Sequence, residues 1–443
     1  MKFSKLSKIV GIAAILSMAL VPLAACGNKS ASSSGSSTTI TFWSAPNPPQ
    51  VKYWKQMATD FHKKNPNITV KVSQMKESPT SEATIQSAIA SGTAPTLSEN
   101  ITRSFAAQLA KSKAIVPLNT DSTTKSDMAK LVTSRNMTNT INSWKFSNGK
   151  QYVIPLYSNP MLVGWRLDEL KKIGITTVPK TYSDVEKVEE ALKSSNSKKV
   201  VYANPYSVDP TAYQRWFDFF PFYDAASNGA GFINGNKFVG DKKAGVETFQ
   251  FVQNLYKNKQ FVTKKTTDPF ETGLSLMNII GPWTFPNWAE KYPNLKYNDN
   301  YTITNVPVPD RMANATNVKT YADAKGVVLY AKATAPQKKA AIKFMKFVMG
   351  DVNNDVTLLN KTSLLPARDD AATNKAFNAY FAKNPEMKEY AKNVPNAIPA
   401  MDNANYNTLQ EKLGNEGWIP AVKGQKTPEV AWNDMSKAIK GEL

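Results

Sequence analysis

The 443-residue sequence contains only one cysteine, Cys26, and one histidine, His62. A single cysteine excludes an intramolecular disulfide and a site built from several thiolates. A single histidine excludes zinc sites with two histidine ligands, and any Ser-His-Asp triad would have to use His62. His62 lies beside a lysine pair, off the apolar face of a predicted helix, so we interpret it as a solvated surface residue. We therefore expect no metal and no cofactor.

Long runs of like charge are also missing, although the charge balance is strongly basic. Lys and Arg number 55 against 35 Asp and Glu, which gives a formal net charge of +20. The lysines are scattered singly and in pairs, whereas a nucleic-acid-binding surface typically gathers them into clusters. We expect no nucleic-acid partner, and interpret the charge as a basic exterior facing anionic lipids and wall polymers.

The first 26 residues have the organisation of an export signal. A lysine-rich start precedes an apolar run at residues 9–20, which is too short for a stop-transfer helix. Leu-Ala-Ala-Cys at residues 23–26 resembles the lipobox of bacterial lipoproteins. This resemblance implies that residues 1–25 are a signal peptide and that Cys26 is acylated, with palmitate, as the first residue of the mature chain. The alternative is a soluble secreted protein that keeps a cysteine near its cleavage site.

The remaining 418 residues are too many for one hydrophobic core and suit two domains. A hydrophobic content of 42% with nine tryptophans is sufficient to fill both cores. Residues 29–39 are almost entirely Ser, Ala, Gly and Thr, which is typical of a flexible linker. We therefore expect residues 26–37 to be a tether between the lipidated cysteine and the folded part.

Strand and helix patterns alternate along the folded part and predict an α/β protein. Residues 40–43 and 68–72 are rich in β-branched and aromatic side chains, whereas residues 51–64 and 81–91 have helical periodicity. This order favours a βαβ unit with parallel strands. Further on, the same patterns predict a strand at 200–202 and helices at 182–193, 242–258 and 335–349.

Several short segments, taken in order, carry a family resemblance. They include Thr39-Ile40-Thr41-Phe42-Trp43, Ser91-Gly92-Thr93-Ala94-Pro95, Gln151-Tyr152-Val153-Ile154-Pro155, Gly164-Trp165-Arg166-Leu167-Asp168 and Met277-Asn278-Ile279-Ile280-Gly281-Pro282-Trp283. Together they resemble extracellular solute-binding proteins of ABC importers, in the carbohydrate-binding group that includes maltodextrin-binding proteins. The second segment departs from the family pattern, because Thr96 follows it where relatives have an acid.

The resemblance implies a type II periplasmic-binding-protein fold of two lobes, joined by about three chain crossings, with the ligand between them. By matching segments, one lobe comprises residues 38–154 plus 327–364, and the other comprises residues 156–322 plus 366–443. The implied function is capture of a carbohydrate, above all an oligosaccharide, by hinge closure and delivery to a membrane permease. We expect a monomer without enzymatic activity, anchored on the outer face of a Gram-positive cell membrane.

A carbohydrate site needs aromatic faces for the C–H surfaces of the sugar and planar polar groups for its hydroxyls. By resemblance, Trp283 stacks on the ligand; the alternative is a core tryptophan beneath a proline turn. Trp43 ends the first strand and is either a ligand contact or a structural residue. Asn159 follows the first crossing, where relatives carry a polar contact, and is otherwise a solvated loop residue.

Weaker candidates follow from position alone, and each has a structural alternative. Glu99, Asn100 and Arg103 either line one lobe edge or belong to a solvated helix start. Tyr213 and Trp216 either contact ligand or form one buried helical face. The C-terminal region adds Tyr406 and Trp418.

Three other functions remain open from the sequence. With 35 carboxylates, the chain has the groups for a surface glycoside hydrolase that uses two acids. A wall-adhesion lipoprotein that has lost transport is a second alternative. Within the receptor class, the ligand is alternatively an anionic solute such as glycerol phosphate.

Overall fold

The computed structural model describes residues 37–77, 80–210 and 217–443. The predicted signal peptide, Cys26 and most of the predicted tether lie outside these residues, as do Tyr213 and Trp216. Within the described ranges, none of the helices combines the length and apolar character needed to span a membrane.

Strands and helices alternate through most of the described chain. The strands are β1 (Thr38–Ser44), β2 (Ile68–Gln74), β3 (Leu97–Ile101), β4 (Ile154–Pro160), β5 (Leu162–Arg166), β6 (Val200–Ala203), β7 (Ile233–Asn234), β8 (Lys237–Phe238), β9 (Phe261–Val262), β10 (Ser275–Ile280), β11 (Tyr301–Thr304), β12 (Thr320–Leu329) and β13 (Ala397–Ile398). The helices are α1 (Pro48–Lys64), α2 (Ser81–Ser91), α3 (Arg103–Lys111), α4 (Lys125–Ser134), α5 (Thr138–Ser143), α6 (Leu167–Lys172), α7 (Tyr182–Ser194), α8 (Phe219–Ala226), α9 (Lys242–Lys257), α10 (Thr284–Lys291), α11 (Ala335–Met349), α12 (Val352–Thr362), α13 (Asn378–Lys383), α14 (Pro385–Asn393), α15 (Tyr406–Lys412), α16 (Ile419–Val422) and α17 (Pro428–Lys440).

The first sheet has the strand order β13-β12-β3-β1-β2, and β4 also pairs with β12. Strand β1 is parallel to β2 and β3, so the predicted parallel arrangement is confirmed. Helices α1 and α11 pack on this sheet through aromatic rings. Phe42 lies 4.2 Å from Trp54 and 6.1 Å from Phe344, measured between ring centroids. These contacts belong to the first hydrophobic core.

The second sheet has the order β11-β5-β10-β6-β9 and carries a separate core. Thr181 begins α7 with a capping box, because its hydroxyl accepts from the Asp184 N–H while the Asp184 carboxylate accepts from the Thr181 N–H. Tyr182 then stacks on Phe251 of α9 at 4.1 Å between centroids. The two sheets, each with its own core, are the basis of a two-lobe α/β fold.

Strands β4 and β12 form an antiparallel ribbon that connects the two cores. At one end, Leu156 and Val327 belong to the first core; at the other end, Met161 and Tyr321 belong to the second. The predicted lobe boundary lies at residue 155, whereas β4 remains paired with β12 through Pro160. The ribbon is therefore a connection that contributes side chains to both cores.

A buried ion network fixes the ribbon at the first core. The Arg135 guanidinium donates to Asp355 at 2.9 Å, to the Leu156 carbonyl at 2.8 Å and to the Pro155 carbonyl. Arg368 donates to the other carboxylate oxygen of Asp355 at 3.1 Å. Arg135, Asp355 and Arg368 are all buried, so each charge depends on its partners for stabilisation.

Candidate functional site

Side chains alternate along β12 between the first core and the opposite face. Ala322 and Ala324 are buried in the first core, whereas Tyr321, Asp323 and Lys325 occupy the intervening positions. Because successive side chains of a strand point to opposite faces, these three residues share one face of the ribbon. Asp323 and Lys325 are half-buried.

Strand β4 adds two residues to the same face. Asn159 lies directly opposite Asp323, and Tyr157 lies opposite Lys325. Since directly paired residues of antiparallel strands project to the same side, Tyr157, Asn159, Tyr321, Asp323 and Lys325 share one side of the ribbon, where Tyr157, Asn159 and Tyr321 are buried. We call this surface the ribbon face.

The ribbon face contains a positively charged group, a negatively charged group and neutral hydrogen-bonding groups. The Asn159 Oδ1 accepts from the Leu365 N–H at 3.2 Å, but its buried Nδ2 has no hydrogen-bond partner among the described residues. Burial raises the pKa of Asp323, an effect that Lys325 opposes. Burial, with the nearby charges of Asp323 and Glu99, raises the pKa of Tyr157 well above its usual value. An amide donor, a carboxylate and an ammonium suit a ligand rich in hydroxyl groups.

Two exposed aromatic rings lie beside this surface. Trp283 and Phe217 are 45% and 42% exposed, and their ring centroids are 5.7 Å apart. Phe217 also contacts Tyr321 of the ribbon face at 6.1 Å. The Trp283 ring lies over Gly281, where a Cβ atom would approach it to 2.3 Å, so a larger residue there would displace the ring. Trp283 is thus not a core tryptophan, and its role in ligand stacking stays a prediction.

Glu99 is fully buried and stabilises the loop between β1 and α1. Its carboxylate accepts from the Ser44 hydroxyl and the Ala45 N–H, both at 2.7 Å, and from the Gln50 amide at 3.0 Å. Burial raises its pKa, while these hydrogen bonds act in the opposite direction. Glu99 therefore fixes the position of this loop. Trp43, at the end of β1, is half-buried and packs against the first core.

Arg103 lies at a contact between α3 and the segment before α15. It forms an ion pair with Asp402 at 3.8 Å and donates to the carbonyls of Ala400, at 3.5 Å, and Lys145. Burial lowers the pKa of Arg103, and Asp402 opposes this effect. Asn100 precedes this contact with a φ of 67°, in the left-handed region that asparagine tolerates.

Tyr406 is buried and connects α15 to α2. Its hydroxyl donates to the Glu82 carboxylate at 2.8–2.9 Å. Burial raises the pKa of Glu82, whereas Tyr406 and Lys325 lower it, which places this pair near Lys325 of the ribbon face. Trp418 lies in the second core, where its Nε1 donates to Ser207.

The structure thus brings Asn159 and Trp283 into one region with Tyr406 nearby, and adds residues that the sequence analysis missed. These are Phe217, Tyr321, Asp323, Lys325 and Glu82. One signal was available: Asp323 and Lys325 are charged residues two positions apart in a strand-like run of small and β-branched residues. Within the described residues, no group of three or more His, Cys, Asp or Glu side chains is arranged to hold a metal.

Asp224, on α8, is a buried carboxylate near Tyr321 with an unpartnered Oδ2. Burial raises its pKa well above the ordinary value. As the pH rises from the unfolded-state pKa to this higher folded-state pKa, the folded protein loses stability. We therefore expect Asp224→Asn to increase the free energy of unfolding at pH 7 and to have little effect near pH 3.5. Urea unfolding at the two pH values measures this.

Asp184 provides the matched control for that prediction. Burial opposes ionisation there, but hydrogen bonds from Lys187 and the α7 cap lower its pKa below the ordinary value. Its stabilising effect is present at neutral pH and is lost as the pH falls, so Asp184→Asn is expected to change stability in the opposite direction. If Asp224→Asn and Asp184→Asn changed the free energy of unfolding in the same direction, the assignment of Asp224 as an uncompensated buried charge would be contradicted.

The chain is similar to known proteins along most of its length. The family of bacterial extracellular solute-binding proteins matches residues 56–389. The maltodextrin-binding protein MdxE of Bacillus subtilis (strain 168) is 23% identical over 312 residues, which cover 67% of this chain and 68% of that protein.

Solved structures share the fold over nearly the full described length. A crystal structure of an uncharacterized Listeria monocytogenes EGD-e protein is 57% identical, with a TM-score of 0.89, and the match covers 91% of this chain and 99% of that one. The cyclic alpha-maltosyl-1,6-maltose binding protein of Arthrobacter globiformis is 16% identical, with a TM-score of 0.73 over 91% and 98% of the two chains. Since the family match spans more than half of the sequence, the chain belongs to the bacterial extracellular solute-binding proteins.

Proposed function

We propose that the protein captures an oligosaccharide of the maltodextrin type between its two lobes and delivers it to the permease of an ABC importer. The observation that carries this proposal is the exposed ring pair of Trp283 and Phe217 beside the polar ribbon face. Relatives named for binding maltodextrin and cyclic maltosyl-maltose support the ligand class.

The proposed lobes comprise residues 38–154 plus 327–364 and residues 156–322 plus 366–443. Their support is the position of the first and second cores on the two sides of the ribbon. A third cluster joins Leu359 of the first proposed lobe to Leu162 and Ile280 of the second. A sugar that stacks on Trp283 and also hydrogen-bonds the ribbon face shifts the equilibrium between open and closed lobes toward the closed form. Binding of this kind needs no covalent step, so we propose a receptor and not an enzyme.

The protein is proposed to act as a monomer on the outer face of a Gram-positive cell membrane, anchored through a lipid on Cys26. Support comes from the lipobox-like residues 23–26 and from membership of an extracellular family. A lipid anchor keeps the receptor close to its permease, and the predicted tether leaves the lobes free to move.

Thermal unfolding of the mature chain with maltotetraose tests the ligand class. A ligand at 100 times its dissociation constant adds about 2.7 kcal/mol to the free energy of unfolding, so we expect a clear rise in melting temperature. Cellotetraose, with the same sugar units in β linkage, is the control. Stabilisation by glycerol 3-phosphate alone would favour the anionic alternative, and release of reducing ends would indicate a hydrolase.

A further inference from the structure

The second lobe contains a separate cavity of about 810 Å³. It is formed by the end of α9, the short strand β9 with the residues after it, and the turn that follows α16. Lys257, Lys259, Lys264 and Lys423 line it, and all four are exposed. We call it the lysine cavity. Its volume lies within the range of small-molecule sites, about 300–1,000 Å³.

The walls of the lysine cavity are held together by hydrogen bonds. The Gln253 amide on α9 donates to the Ala421 carbonyl at 2.7 Å and to the Lys426 carbonyl at 2.9 Å. Strand β9 is the edge of the second sheet and pairs with β6. The lysines are therefore presented by a fixed scaffold of helix ends and a sheet edge.

The charge of the cavity is positive and uncompensated. No aspartate or glutamate lines it, and none of its four lysines forms an ion pair within the described chain. In contrast, the neighbouring Lys426 pairs with Asp434 at 2.8 Å. The C-terminal ends of α9 and α16 carry partial negative charge from the helix dipoles and offset part of the lysine charge. Each of the two ends supplies only about half a negative charge. Roughly three positive charges therefore remain.

We propose that the lysine cavity binds a phosphate ester. Lysine ammonium groups bind phosphate as point charges, and several of them together compensate its double charge. Tyr256 and Phe261 supply an apolar wall for the uncharged part of the ligand. The ester is either a soluble compound or the headgroup of an anionic lipid, because both present the same phosphate chemistry. This site is distinct from the ribbon face and does not depend on the proposed sugar function.

The test compares two variants with the same change in net charge. The first carries K257Q, K259Q, K264Q and K423Q. The control carries K55Q, K130Q, K339Q and K388Q, which replace exposed lysines that do not line the cavity and have no ion pair among the described residues. Binding of inorganic phosphate and glycerol 3-phosphate is measured by phosphorus NMR and calorimetry. Sedimentation measures binding to vesicles of phosphatidylglycerol with phosphatidylcholine and of phosphatidylcholine alone.

We expect the wild type and the control variant to bind at least one of these phosphate probes, and the cavity variant to bind it at least tenfold more weakly. Binding to the soluble probes would identify a soluble ester, and binding only to the phosphatidylglycerol vesicles would identify a lipid headgroup. An equal loss in both variants would overturn the proposal in favour of net charge alone. Absence of wild-type binding to every probe would overturn it as well. Urea unfolding shows that each variant is folded, and maltotetraose stabilisation, measured in parallel, reports separately on the proposed sugar site.

Discussion

Replacement of Trp283 by alanine is expected to weaken maltotetraose binding by about 30- to 100-fold, equivalent to about 2–3 kcal/mol. The ring is 45% exposed, and it contacts the ring of Phe217, which is 42% exposed. Its removal therefore takes little packing from either core, so we expect only a small change in the free energy of unfolding. Isothermal titration calorimetry measures the affinity, and urea unfolding measures the stability.

Two controls separate stacking from structural damage. Trp283→Phe keeps an aromatic face at the same position and is expected to restore most of the affinity. Trp288→Ala removes a buried ring that stacks on Phe270 and donates to Glu271 at 2.7 Å. That change is expected to lower stability with little effect on affinity while the protein remains folded. Unchanged maltotetraose affinity in Trp283→Ala would show that the ring does not contact the sugar.

The helices and strands that the sequence predicted were accessible because their signals are local. The helix predicted at 335–349 matches α11, whose capping box joins Thr334 to Gln337 three residues away. Helix α2 likewise begins at a cap on Thr80 and ends at Gly92, which adopts a φ of 76°. Such residues determine an element through neighbours within one helical turn, so a single sequence is sufficient to place it.

The candidate site was harder to predict because its groups meet through distant pairing. Asn159 and Asp323 become neighbours only through the register between β4 and β12. Glu99 is recognisable in sequence only as a polar residue, because its partner Ser44 lies 55 positions away and the hydrogen bond between them forms only in the folded chain. Local patterns indicate that a residue is polar, whereas only the tertiary fold determines whether it meets a ligand or another residue.

Replacement of Arg135 by alanine is expected to reduce the free energy of unfolding by about 3–5 kcal/mol. The change leaves Asp355 buried with one cationic partner fewer and removes the donors to the Pro155 and Leu156 carbonyls. Arg311→Ala is the control, since Arg311 forms a partly exposed ion pair with Glu247 at 2.8 Å. Such pairs contribute up to about 1 kcal/mol. Urea unfolding measures both variants. Equal losses of unfolding free energy in Arg135→Ala and Arg311→Ala would exclude an anchoring role for Arg135.

The same residue is expected to affect ligand binding without contacting the ligand, because it holds the ribbon where β4 leaves the first core. Arg135→Met keeps much of the side-chain volume but releases the two carbonyls, which lets this end of the ribbon move. The energy difference between open and closed lobes then changes, and the apparent sugar affinity changes with the fraction of the binding-competent form. We therefore expect weaker maltotetraose binding in Arg135→Met at a temperature where it remains folded, and unchanged binding in Arg311→Ala. Wild-type affinity in both variants would mean that the lobes move about another part of the chain.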